Sequence, residues 1–147
     1  MEHDMKLYNE AFEMIKSKVK TVEMRLNDEK RKKIKVDDVI CFQNIETDEK
    51  IYVKVLRLIP CKNFDDLYKM FPKTVLGYKN DEVANPRDML EYYSVEQIEK
   101  YGALGIEISL FESDKSLRIH HTKQLLKDFA KDNLSEDIQN EINDILK

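Results

Sequence analysis

Ser17-Lys18-Val19-Lys20-Thr21-Val22-Glu23-Met24-Arg25-Leu26 is the stretch on which the reading of this chain turns. Its second half alternates as a strand does. Val22, Met24 and Leu26 share one face, and Thr21, Glu23 and Arg25 share the other, because successive strand side chains point to opposite sides. Lys20 stands at the start of the strand. A short strand over 21–26 therefore sets a cation, an anion and a second cation close together.

Outward from this strand, the charge is uneven. Residues 16–35 hold nine Lys or Arg against three acids, a local +6 in a chain of net charge −4, so the remaining 127 residues sum to −10. Positive charge clustered on an acidic protein points to a polyanion bound at one place. On the N-terminal side, Leu7, Ala11, Met14 and Ile15 recur at helical spacing, which predicts a helix over 7–16. The residues before it, His3 included, read as a frayed terminus. On the C-terminal side, Asn27 or Asp28 caps a turn through Lys33.

Further along, residues 39–45 and 51–59 read as two strands joined by the polar loop Glu46-Thr47-Asp48-Glu49, with Pro60 ending the second. The apolar phase slips from Ile51, Val53 and Val55 to Leu56 and Leu58, which predicts a β-bulge near Val55-Leu56. A mirror point near residue 48 sets Cys41 opposite about Lys54, too far from Cys61 for a disulfide, so both cysteines are expected as buried free thiols. Asn63 caps a helix bearing Phe64, Leu67, Tyr68 and Phe71, and Pro72 breaks it. Pro86 starts another helix, and Ser94 with Gln97 forms a capping box for a third over 95–101. Ala103–Phe111 alternates as a half-buried strand. Residues 118–131 and 135–146 then read as two helices with no strand after them.

This order predicts an α+β protein: a small, mostly antiparallel β-barrel with flanking helices and a C-terminal two-helix appendage. The division expected is 1–111 for the barrel and 112–147 for the appendage. With 147 residues and 41% hydrophobic content, one core is affordable. No apolar run approaches a membrane span, and the N-terminus, with Glu2 and Asp4, lacks an apolar signal region. A cytoplasmic location without membrane contact is expected.

The same residues resemble a known family. The chain is similar to the ASCH (activating signal cointegrator homology) domain of the PUA-like β-barrel superfamily, whose pattern is Gly-x-Lys-x-x-Glu-x-Arg. It maps onto Lys18-Val19-Lys20-Thr21-Val22-Glu23-Met24-Arg25, matching the Lys, Glu and Arg but not the leading Gly. Leu7–Phe12, Leu26–Arg31, Val36–Ile40, Leu76-Gly77-Tyr78, Tyr92-Tyr93-Ser94 and Tyr101–Ile106 look like further family landmarks, and the likeness spans about residues 6–111. The resemblance implies a barrel cleft lined by the Lys/Glu/Arg motif, with RNA or a nucleotide as ligand.

Three functions follow as expectations. The first is a binding module in which Lys20 and Arg25 hold a phosphate and Glu23 accepts from a base or positions Arg25. Lys30, Arg31, Lys32 and Lys33 would add backbone contacts, and Tyr78, Tyr92 and Tyr93 would stack on bases. The second is a small amidohydrolase acting on a modified nucleoside such as acetylated cytidine, as the resemblance implies. There Lys20 matches a catalytic Lys and is the best catalytic candidate, while the family's catalytic Thr position holds Glu23. Glu82, Glu91 and Glu107 are the other carboxylates such an enzyme could draw on. The third is a protein-interaction subunit, with the C-terminal helices joining copies into a homo-oligomer. No metal-ligand spacing occurs, no cofactor is expected, and the Glu at the Thr position favours binding over catalysis.

Overall fold

The computed structural model describes all residues, Met1–Lys147. The alternation at the motif becomes strand β2 (Val22–Leu26), antiparallel to β5 (Ala103–Leu110), with Met24 opposite Gly105. β5 pairs in turn with β4 (Lys50–Cys61), and β4 with β3 (Val39–Asn44), both antiparallel. Val22, Met24 and Leu26 are buried as their phase requires. They share a core cluster with Ile59, Phe64, Leu67, Leu76 and Met89.

The bulge falls where the phase slip placed it, as a register shift between Val55 and Arg57 against β5. Two details of the hairpin differ from expectation. Cys41 lies opposite Tyr52, not Lys54, because Asn44 N–H bonds to the Glu49 carbonyl (2.8 Å) and draws the turn tighter. Pro60 does not end β4. It continues the pairing with Leu104 of β5, beyond the point at which β3 pairs with β4, so its missing N–H faces an open edge. Cys41 and Cys61 are free thiols; Cys41 is buried and Cys61 only half-buried.

The N-terminus is not frayed. Glu2–Leu7 forms a strand, β1, parallel to β3 with Met5 opposite Phe42. Met5 and Leu7 enter a second core cluster with Phe12, Ile15, Ile40, Phe42 and Val53. Asp38 latches this strand. Its carboxylate accepts from His3 Nε2 (2.8 Å), the terminal amine (3.2 Å) and Lys35 N–H (3.0 Å). The strand order is β1-β3-β4-β5-β2, so β1 and β2 are the two edges of one sheet. Arg25 on β2 donates to the Lys6 carbonyl on β1 at 3.0 Å. The sheet therefore curls into a half-barrel whose edges come within one side chain of each other.

Helix α1 (Asn9–Lys16) connects β1 to the motif, and its ending explains the unmatched Gly. Lys18 takes the left-handed conformation, φ 68. Its N–H bonds to Ile15 O, and Val19 N–H bonds to Met14 O, both at 3.0 Å. This is the Schellman closure, which favours glycine at that residue. Here a lysine meets the same geometry.

α2 (Phe64–Tyr68) is capped by Asn63, and α3 (Val95–Tyr101) by the Ser94–Gln97 capping box. The segment after Pro86 forms a 3-10 helix, Pro86–Glu91, in place of the expected α-helix. Residues Met1–Leu110 form one compact unit and Phe111–Lys147 a second. The second consists of α4 (Asp114–Asn133) and α5 (Glu136–Ile145). α4 starts earlier than the apolar spacing suggests because Ser113 and Ser116 form a capping box ahead of it. Leu125, Phe129 and Ile145 are exposed on these helices. No helix is long and apolar enough to cross a membrane.

Candidate functional site

The charged face of β2 is not a solvated face. Glu23 is 3% exposed and Lys20 9%. Glu23 gathers its neighbours: Oε1 accepts from Lys20 Nζ (3.1 Å) and Met24 N–H (3.0 Å), and Oε2 accepts from Arg25 Nη2 (3.1 Å). Burial alone would push this carboxyl up. Lys20 and Arg25, together with the Lys20 and Met24 hydrogen bonds, outweigh burial and hold it at about 2, so it is ionised at neutral pH. Burial likewise works against the Arg25 cation, and Glu23 and Tyr93 together more than compensate, raising its pKa.

Three local devices fix this arrangement. The bifurcated bonds from Thr21 and Val22 N–H to the Val75 carbonyl (3.0 and 3.1 Å) tie the 72–78 loop across the start of β2. Gly77, at φ +106, lets the Lys20 stem lie against the loop, since a Cβ there would come within 3.0 Å of Lys20 Cδ. The Arg25 bond to Lys6 O holds the guanidinium at the seam between β1 and β2.

Lys20, Glu23 and Arg25 line a cleft of about 730 Å³. Tyr78, Tyr92 and Tyr93 line it too, so the structure brings the motif and the expected stacking residues together. The rings differ in freedom. Tyr93 already stacks on Phe64, with ring planes 3° apart. Tyr78 is tied by its hydroxyl, which donates to Asp88 Oδ2 (2.7 Å) and shares a hydrogen bond with Tyr68 (2.8 Å); burial and these bonds push its pKa up. Tyr92 is 57% exposed and open to a ligand. Tyr8, also in the lining, is 60% exposed and was not foreseen; its position just after an unrecognised strand hid it. Lys6 and Asp88 were missed for similar reasons. Lys6 belongs to that strand's period-two pattern, and Asp88 to a turn whose sequence signals, Pro86 and the apolar Met89, point to packing and not to its acid.

The basic run divides. Lys30 and Arg31 line a second cleft of about 560 Å³, which shares Lys6 and Arg25 with the first. Arg31 is held by Asp28 through Nη1 (2.8 Å), and Lys32 pairs with Glu29 (3.6 Å). Lys32 and Lys33 line neither cleft. Glu82 and Glu91 reach the first cleft, whereas Glu107 pairs with Arg57 (2.9 Å) and does not. His120 and His121 belong to the second unit.

Two solved structures share this fold. The chain is similar to hypothetical protein PH0355, known from a crystal structure: 30% identity, 76% of this chain and 100% of that chain covered, TM-score 0.65. It is similar also to protein PF0455 from Pyrococcus furiosus, solved by solution NMR: 32% identity, 77% and 100% covered, TM-score 0.57. No curated protein matches. The ASCH domain model matches residues 5–112, a span that includes all but the first residues of the half-barrel and the whole Lys20–Glu23–Arg25 cluster, and the chain belongs to the ASCH domain family.

Proposed function

We propose that this protein binds single-stranded RNA or a nucleotide in the cleft above Lys20, Glu23 and Arg25. The observation that carries the reading is the placement of a nearly dehydrated three-charge cluster beside exposed tyrosines in one cleft. Burying charges costs several kcal/mol per ion, and as a stabilising device such a cluster is often no better than packed apolar side chains. Strongly perturbed groups lying in a cleft mark a candidate site. Membership in the ASCH family supports a domain of RNA-binding type.

Each part has a role suited to its chemistry. Arg25 offers a planar fork to a phosphate or a base edge. Glu23 and the Lys6 carbonyl hold that fork in place. Tyr92 supplies a free ring face for stacking. Lys20 Nζ, engaged by Glu23 at 3.1 Å, braces the carboxylate.

Fluorescence anisotropy with a labelled single-stranded RNA pentamer of mixed sequence tests this. Tyr92→Ala removes an exposed ring and should weaken binding about tenfold. Arg25→Lys keeps the charge, removes the fork and should weaken it by a similar factor. Wild-type affinity in both variants overturns the proposal.

A further inference from the structure

The two clefts that share Lys6 and Arg25 differ in sign. The aromatic cleft carries five carboxylates (Glu10, Glu23, Glu82, Asp88, Glu91) against three cations (Lys6, Lys20, Arg25). The second carries five cations (Lys6, Arg25, Lys30, Arg31, Lys50) against Asp4 alone. The difference comes entirely from residues the clefts do not share. Arg25 is tied to Glu23 and Arg31 to Asp28, whereas Lys6, Lys30 and Lys50 carry no ion pair and are solvent-exposed.

A phosphate is an anion, and a cleft with a surplus of carboxylates repels it. A nucleobase is flat and uncharged, and many bases bear an amino group that a carboxylate accepts from. The aromatic cleft has the rings and the acceptors for a base; the second has the cations for a phosphate. We infer that the two clefts divide one ligand, the base lying in the aromatic cleft and its phosphate passing over Arg25 into the basic one. This rests on the nucleotide-binding reading above. It assigns Lys6, Lys30 and Lys50 as phosphate contacts, drawn from β1, the turn after β2 and the start of β4. It also makes a phosphorylated nucleotide, not a bare nucleoside, the ligand class.

The test uses the full chain and the same RNA pentamer. Lys30→Ala with Lys50→Ala changes two exposed side chains and leaves the core intact. This double variant should weaken pentamer binding about tenfold. It should also flatten the slope of log K against log salt by about 1.4, from two lost contacts at ~0.7 each on a single strand. Tyr92→Ala should weaken binding by a similar factor with the slope unchanged. As competitors, an equal mixture of the four nucleoside monophosphates should displace the pentamer at least tenfold better than the four nucleosides if a terminal phosphate fills the basic cleft. Equal, weak competition by both, with the slope change kept, assigns it to the next phosphodiester of a strand. Unchanged affinity and slope in the lysine variant, while Tyr92→Ala still weakens binding, overturns the division and leaves the binding reading standing. Absence of wild-type binding overturns both.

Discussion

Glu23 organises the site through its charge. Its folded carboxyl sits at about 2 against the usual 4.5, so the folded state binds this proton less readily than the unfolded chain. Stability from this group is therefore complete above pH about 5 and is lost as the pH falls from there toward 2. A depression of this size corresponds to ~3 kcal/mol. Glu23→Gln keeps the size of the side chain and removes the charge, leaving Lys20 and Arg25 without their counter-ion. Urea unfolding at pH 7 should show a loss of about 3 kcal/mol. The variant should also show less acid destabilisation between pH 5 and 2 than the wild type, what is left coming from other carboxylates held low, such as Asp38; the same acid loss in both proteins would show that Glu23 is not a source of it. Lys18 makes the opposite prediction. A lysine at φ 68 bears a strain that glycine avoids, so Lys18→Gly should stabilise the protein by ~0.5–1 kcal/mol, read as a higher urea midpoint at unchanged slope.

At the scale of elements, β1 is where reading and structure part. Its pattern was present, with Met5 and Leu7 in one phase and Glu2, Asp4 and Lys6 in the other. Only two of its six residues are deeply buried, and the strand is completed by a non-local partner, β3, and by the Asp38 latch. Neither is visible within a local window. By contrast, β2, the bulge in β4 and the capping box of α3 are written in short-range phase and spacing, and they form where that spacing puts them. Leu7→Ala removes a side chain 6% exposed in the first core cluster, and should cost 2–4 kcal/mol by urea unfolding. A cost below ~0.5 kcal/mol would mean that β1 is frayed after all.

For the molecule as a whole, the motif residues were legible because their order in the chain is their order in space. What surrounds them was not. Lys6, Tyr8 and Asp88 come to the cleft from three separate segments, brought together by the curl of the sheet and by the loop tied to β2. The acidic character of that cleft could not be read from a basic run whose Lys32 and Lys33 line neither cleft. The division at residue 111 carries its own prediction. Two solved chains match over their entire length while covering only 76% and 77% of this one, so the fold is attained without a counterpart to the rest. A chain ending at Phe111 should fold cooperatively and bind the RNA pentamer within about twofold of the full protein. A shortened chain that does not fold, or that loses affinity, contradicts the assignment of binding to residues 1–111.

The most direct measurement is a titration of the isotope-labelled full chain with the RNA pentamer, followed by amide and side-chain NMR shifts. The account predicts that the largest changes fall on Arg25 Nε–H and Lys6, at the seam where β1 meets β2, and on Gly77 and Tyr92 in the lining of the aromatic cleft. Shifts confined to residues 112–147, or none on adding excess RNA, would contradict it.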